Sequence, residues 1–224
     1  MLNKQAKSIV RFLINSFYNF CYRIRGKYFG HVNSRLTYRC LEIGPGNERI
    51  RGFETLNIVG GSDVDYIADA SKRLPFPENT FDIIYTSHIL EHVPWFLTQN
   101  ALSEWVRVLK VGGTLEVWVP DGLKICKAFI DAEYGVSQDY KLDGWLCMNP
   151  ENDPCLWASG RIFTYGDGTG NPSHPNWHRA IFSERLLSLQ MERAGLIEIE
   201  KLSSDKVRGH DHGWINLGLK GLKP

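Results

Sequence analysis

Three groups of side chains in this sequence have the types and the spacing to do chemistry. The first is Leu41-Glu42-Ile43-Gly44-Pro45-Gly46, in which an acid near the end of an apolar run is followed at once by a two-glycine turn. Gly44 and Gly46 tolerate positive φ and carry no Cβ, so a ligand can approach main-chain N–H groups closely, while the Glu42 carboxylate can pair with an ammonium or a hydroxyl. That combination suits a nucleotide-like cofactor held against bare backbone. Arg49 stands where a dinucleotide fingerprint needs its third glycine, which argues against a nicotinamide enzyme. The second group is His88, Glu91 and His92, at i, i+3 and i+4. On a helix these would share one face, the spacing of metal ligands. His88, where an apolar strand ends, is also the first choice for a general base, because an unperturbed imidazole titrates close to neutrality. The third group is His174 and His178, within His174-Pro175-Asn176-Trp177-His178-Arg179, in a stretch that also holds Cys147 and Cys155. The two cysteines lie too far apart for a zinc knuckle, so contact of His178 or Arg179 with a polar substrate is the favoured reading.

These side chains need a scaffold, and the hydrophobic pattern supplies one. Apolar runs at 39–43, 54–59, 65–68, 81–86 and 113–119 read as strands, separated by a glycine-terminated helix at 96–110 and another from Asp121 to about Tyr134. Ser183 opens a further helix that Gly195 ends, and two more strands follow at about 196–202 and 213–219. Strands alternating with helices predict an α/β fold: a doubly wound, mostly parallel, seven-stranded Rossmann-like sheet with right-handed crossovers and an antiparallel edge hairpin. Only about ten residues join the first strand to the second, near the lower limit for a parallel crossover, so a helix there must be short or absent. Residues 135–178, rich in Gly, Pro and aromatics, form an insertion expected to act as a lid over the substrate. In doubly wound sheets the ligand lies beyond the carboxyl ends of the strands, where the winding reverses, and Gly44–Asn47 lies there.

A chain of 224 residues with 43% hydrophobic content is large enough for one such domain and too short for two. Residues 1–30 read as a basic amphipathic helix, apolar at Ile9, Val10, Leu13, Ile14, Phe17, Phe20 and Ile24. It is expected to cap the domain over 31–224, with contact to an anionic membrane surface as the alternative. Residues 1–41 hold eight of the 26 basic side chains and no acid, which leaves 18 against 25 acidic residues in the remainder. A uniformly basic nucleic-acid binder does not have that balance, so no nucleic acid is expected as a partner. No apolar run is long enough to span a membrane, and five scattered cysteines fit a reducing compartment, so a cytoplasmic location is expected. The oligomeric state cannot be read.

Taken with the opening motif, Leu74-Pro75-Phe76-Pro77-Glu78-Asn79-Thr80-Phe81-Asp82-Ile83-Ile84-Tyr85, His88-Ile89-Leu90-Glu91-His92-Val93 and Glu104-Trp105-Val106-Arg107-Val108-Leu109-Lys110-Val111-Gly112-Gly113-Thr114-Leu115 resemble, in this order, the class I S-adenosylmethionine-dependent methyltransferases of the type 11 branch. The resemblance covers about residues 40–121 well and the tail loosely. It implies S-adenosylmethionine as cofactor. Glu42, Gly44, Pro45 and Gly46 would hold the methionine end and ribose, Asn57, Ile58 and Ser87 would line the same crevice, and Asp69, Ala70 and Ser71 would meet the adenine. The family's ribose-binding acid at the end of the second strand matches Val59 here, with Asn57 or Asp63 as substitutes. His88, His92 and His178 are the candidate catalytic residues. Ubiquinone-biosynthesis and small-RNA O-methyltransferases carry similar histidine and glutamate clusters that bind metal, beginning with Glu where this chain has His88; no metal residue is assigned, and a divalent ion remains a secondary reading. The acceptor is expected to be a small-molecule or saccharide hydroxyl, by similarity to short-crossover relatives encoded beside glycan-assembly enzymes. The alternative is a non-catalytic cofactor-binding or scaffold domain.

Overall fold

A computed structural model describes residues 36–46 and 49–224; the predicted N-terminal helix lies outside them. The elements are β1 (Cys40–Ile43), β2 (Glu54–Asn57), β3 (Tyr66–Ile67), β4 (Phe81–Ser87), α1 (Thr98–Val108), β5 (Leu109–Pro120), α2 (Gly122–Glu133), α3 (Pro154–Phe163), α4 (Glu184–Arg193), β6 (Ile197–Leu202) and β7 (Asn216–Leu222). All seven strands join one sheet in the order β3-β2-β1-β4-β5-β7-β6. The first five are parallel, and β7 runs antiparallel to both β5 and β6. The predicted α/β sheet with its antiparallel edge hairpin is therefore the observed fold. From β1 the chain winds outward through β2 and β3, then returns to the other side of β1 with β4. The winding reverses between β1 and β4, which leaves a crevice at their carboxyl ends.

Alternation along the central strands sets the two faces. Leu41, Ile43, Ile84, Leu115, Val117 and Val119 turn into the main core with Leu102, Trp105 and Val106 of α1 and Leu187 and Met191 of α4. Cys40, Tyr85 and Trp118 form a smaller cluster with Phe53. Arg208 covers this second cluster, ion-paired to Glu116 at 2.7 Å. No helix occurs between β1 and β2 among the described residues, in line with the short crossover. The Trp105 indole N–H donates to the Ala70 carbonyl at 2.9 Å, so α1 holds in place the loop that follows β3.

The structure differs from the sequence reading in four places. The second strand ends at Asn57, not Val59. Helix α1 is not ended by glycine: it passes directly into β5 at Leu109, which is buried and pairs with Phe81. Gly112, at φ +75°, instead bends the beginning of that strand. The insertion carries a helix of its own, α3, opened by the Asp153 carboxylate accepting from the Leu156 N–H at 2.9 Å with Pro154 in the first turn. This helix packs on α2 around Ile125, Ala128, Tyr140 and Trp157. Finally, residues 213–215 form a 3₁₀ turn ahead of β7 rather than its first residues.

Candidate functional site

Two adjoining cavities open at the switch point, one of about 800 Å³ and one of about 350 Å³. They share Gly44, Ile89, His92 and Asn176. The smaller is lined by Asn57 and Ile58 at the end of β2, by Asp69, Ala70 and Ser71 after β3, and by Val59. The larger is lined by Glu42, Gly44 and Gly46, by Ser87 and His88 at the end of β4, by Trp145, Arg161, Tyr165 and His178 of the insertion, and by Arg208, His210 and His212. Nine of the ten residues expected to bind cofactor thus border this crevice. Pro45 lies buried in the turn and lines neither cavity, and Asp63 lies apart from both.

Each element contributes for a local reason. Gly44 sits at φ +78°, and a Cβ there would lie 2.0 Å from Cδ1 of Ile89, so any larger residue is strained and forces Ile89 or the turn to shift. Glu42 is buried and accepts the Ile50 N–H at 2.8 Å; burial raises its carboxyl pKa, against the lowering effects of that hydrogen bond and of Arg49. The Asn57 carboxamide oxygen accepts the N–H of Ile58 at 2.7 Å. Asp69 accepts both the N–H (3.0 Å) and the hydroxyl (2.6 Å) of Ser71, and although burial opposes it, these bonds and Lys72 hold the carboxyl below its usual range.

The histidines are held by specific partners. The Asn216 carboxamide is oriented by its N–H donation to Asp211 at 2.7 Å, so its oxygen faces His88 and accepts from His88 Nε2 at 2.8 Å. His88 Nδ1 lies 3.2 Å from Oε1 of Glu91. Nε2 is therefore engaged by Asn216, while Nδ1 lies beside the Glu91 carboxylate without a hydrogen bond to it. His92 Nδ1 donates to the Trp177 carbonyl at 3.3 Å and His178 Nδ1 to that of Arg161 at 3.1 Å, the tautomer that in a neutral ring places the lone pair on Nε2. Backbone bonds from Arg179 N–H (2.7 Å) and Ala180 N–H (3.1 Å) to the Glu91 carbonyl bring the end of the insertion onto the turn at Leu90–His92. Burial drives Glu91 up, but His88, His92 and His178 outweigh it and bring its carboxyl down to about 2. Burial drives His178 down to about 4, against the pull of Glu91. Both directions give one state near neutrality: an ionised carboxylate beside a neutral imidazole.

His210 and His212 carried no assignment in the sequence, yet His212 stacks on His88 with ring centroids 3.7 Å apart. Two histidines two residues apart just before the last strand were the available signal. Cys147, Cys155 and His174 do not gather with other possible ligands; among the described residues only Glu91, His92 and His178 bring ligand atoms close enough together to hold an ion. No helix of the described residues is long and apolar enough to cross a membrane.

Burial, with His88 and His210 adding to it, lowers the pKa of His212 to about 3. The unfolded chain takes up this proton near pH 6.5 and the folded chain does not, so stability falls as pH drops below about 6.5. Between pH 7.5 and 5.5 wild type should lose about 1 kcal/mol more than His212→Phe, which keeps a ring against His88 but cannot titrate. Urea denaturation of both proteins at the two pH values measures this, and equal losses would remove the effect.

The open doubly wound sheet, with a glycine turn at its switch-point crevice, is a Rossmann-like α/β fold. Residues 28–117 match a family model described as a methyltransferase domain. Over 72 residues the chain is 42% identical to the ubiquinone/menaquinone biosynthesis C-methyltransferase UbiE of Cronobacter sakazakii, a match covering 32% of this chain and 26% of that protein. Over 73 residues it is 36% identical to the demethylmenaquinone methyltransferase of Anoxybacillus flavithermus, covering 33% and 27%. The match spans about a quarter of the length of these curated relatives. Among solved structures, an S-adenosylmethionine-dependent methyltransferase of Thermotoga maritima, described as a possible histamine N-methyltransferase, is 18% identical with a TM-score of 0.43, covering 97% of this chain and 96% of that one.

Proposed function

We propose that the protein is an S-adenosylmethionine-dependent methyltransferase acting on a hydroxyl of a small molecule or saccharide. The observation that carries this reading is the pair of adjoining cavities meeting at Gly44, Ile89 and His92, directly over the switch point. The smaller suits the adenosine half: Asp69 and Ser71 bracket a space for the base, and Asn57, standing where the strand ends, offers the ribose a carboxamide in place of an acid. The methionine half extends over Gly44 and Gly46 toward Glu42, whose buried carboxylate suits the ammonium group. The methyl carbon then faces the larger cavity.

Methyl transfer from a sulfonium is an in-line displacement, so the protein mainly aligns the acceptor, excludes water and removes the hydroxyl proton. Trp145 and Tyr165, their ring planes 28° apart and centroids separated by 6.3 Å, supply stacking faces for a sugar or ring. Arg161, Asn176 and the histidines supply polar contacts, a lining better matched to a hydroxylated acceptor than to an isoprenoid quinone. His88, held at Nε2 by Asn216, stands beside Glu91. The proton leaves through the cluster of Glu91, His92 and His178.

Titration calorimetry of the purified protein with S-adenosylmethionine should show one-site binding. Labelled methyl should then pass to one member of a panel of nucleotide sugars, lipid-linked saccharides and quinols. Heat without transfer to any hydroxyl, or transfer to quinol carbon, would replace the acceptor class. No heat at high micromolar cofactor would leave a non-catalytic scaffold.

A further inference from the structure

From the arrangement of Glu91, His92 and His178 we infer that this cluster is a binding site for one divalent transition-metal ion. One ligand atom from each of the three residues lies within 4.8 Å of the others. His178 Nε2 is 3.9 Å from Oε1 of Glu91, against about 3.4 Å expected between ligands on a tetrahedral ion with metal–ligand bonds of about 2.1 Å. The gap closes with small side-chain rotations.

Two independent features point to an ion rather than to a hydrogen-bonded cluster. Glu91 is 1% exposed, yet neither carboxylate oxygen accepts a hydrogen bond among the described residues: His88 Nδ1 lies 3.2 Å from Oε1, but a neutral ring that gives its Nε2–H to Asn216 has no Nδ1–H to donate. An ionised carboxylate in that position costs several kcal/mol unless a positive charge meets it. The second feature is the pair of tautomers. Both histidines give their Nδ1–H to a backbone carbonyl, which turns a lone pair at Nε2 outward and fixes each ring, the arrangement in which metal-binding histidines are found. His92 and His178 rings lie 4.9 Å apart at 65°.

The donor set of two imidazoles and one carboxylate selects borderline ions such as zinc or ferrous iron over magnesium or calcium, which prefer all-oxygen shells. The set differs from the spacing-based grouping, because His178 of the insertion, 86 residues after His92, replaces His88 as a ligand; His88 instead stands beside Glu91. Three protein ligands leave a coordination position open, and His92 and His178 both line the larger cavity. On the methyl-transfer reading, that position would receive the acceptor oxygen, and the ion, in place of the free His92 and His178 nitrogens, would lower the hydroxyl pKa so that its proton passes to water in the cavity. Metal binding itself does not depend on that reading.

The test uses full-length protein stripped with chelator and then titrated with zinc against a chromophoric competitor, with cobalt as a spectroscopic substitute and metal content measured by mass spectrometry. One equivalent of zinc should bind, and Glu91→Gln, His92→Asn and His178→Asn should each weaken binding at least about 100-fold. The Cys147→Ser/Cys155→Ser double variant should bind like wild type. Circular dichroism of each stripped variant establishes that it is folded. A histidine variant that unfolds is replaced by Glu91→Gln, which preserves volume and must still lose the ion. Less than about 0.1 equivalent in wild type, or retention of zinc by folded Glu91→Gln and His178→Asn proteins, overturns the inference whether or not S-adenosylmethionine binds. If zinc binds as expected and the cofactor does not, the metal site stands and the methyl-transfer reading falls.

Discussion

Gly44→Val is expected to remove measurable S-adenosylmethionine binding while leaving a folded protein. Gly44 lies at φ +78°, a region that costs a residue with a side chain about 1–2 kcal/mol, and more if it is β-branched. Its new Cβ would meet Cδ1 and Cγ1 of Ile89 at 2.0 and 2.3 Å. Ile89 has its own packing against the main core, so the clash is relieved by moving it or the turn, and both border the two cavities. Because the Gly44 N–H donates to the Leu56 carbonyl at 2.8 Å, a displaced turn also disturbs the end of β2 beside Asn57. A loss of at least about 100-fold in affinity, near 3 kcal/mol, should follow by calorimetry. Gly46→Val is the matched control, since nothing lies within 4 Å of a Cβ at Gly46 and its φ is not positive. It should weaken binding less. Equal affinities for wild type and Gly44→Val would show that the cofactor does not rest on this turn.

The second large effect is expected from Asp143→Ala, far from the cofactor. The Asp143 side chain is 3% exposed and receives both the Trp157 indole N–H at 2.9 Å and the Arg161 guanidinium. Arg161 in turn lies 4.8 Å above the Trp145 ring, and its carbonyl accepts from His178. Removing the carboxylate leaves a largely buried guanidinium and a buried indole N–H without this partner, which should cost about 3–5 kcal/mol. The loss should appear in urea denaturation as a lower midpoint or as a separate early transition of the α2–α3 layer. Because Trp145, Arg161 and His178 line the larger cavity, acceptor affinity should fall while S-adenosylmethionine affinity changes little. A cost below about 1 kcal/mol would mean that α3 holds its position without this ion pair.

The parallel core was legible because local chemistry sufficed there. Strands buried on both faces must read as continuous apolar runs, and those at Leu41, Phe81 and Leu115 did so. The glycine turn after β1 was legible for the same kind of reason, since its positive φ favours glycine whatever surrounds it. The boundaries were harder. Val59 was matched to the family's acid because apolar residues continue past Asn57, whereas pairing with β3 stops at Asn57↔Ile67. The helix in the insertion had a readable Asp153-Pro154 start, but the surrounding turn residues hid its length.

What the sequence determined by itself was the alternation of strands and helices, and with it the crevice, the glycine turn and the chain segments that border it. Only the tertiary structure decided what the histidines do. His88, Glu91 and His92 are neighbours along the chain, but which ring nitrogen is free depends on Asn216 for His88 and Trp177 for His92, 128 and 85 positions away. His178 reaches Glu91 through backbone bonds at Arg179 and Ala180. Hydrogen-bond direction and ligand convergence are properties of packed surfaces, and spacing along one segment carries no information about the partner that another segment brings.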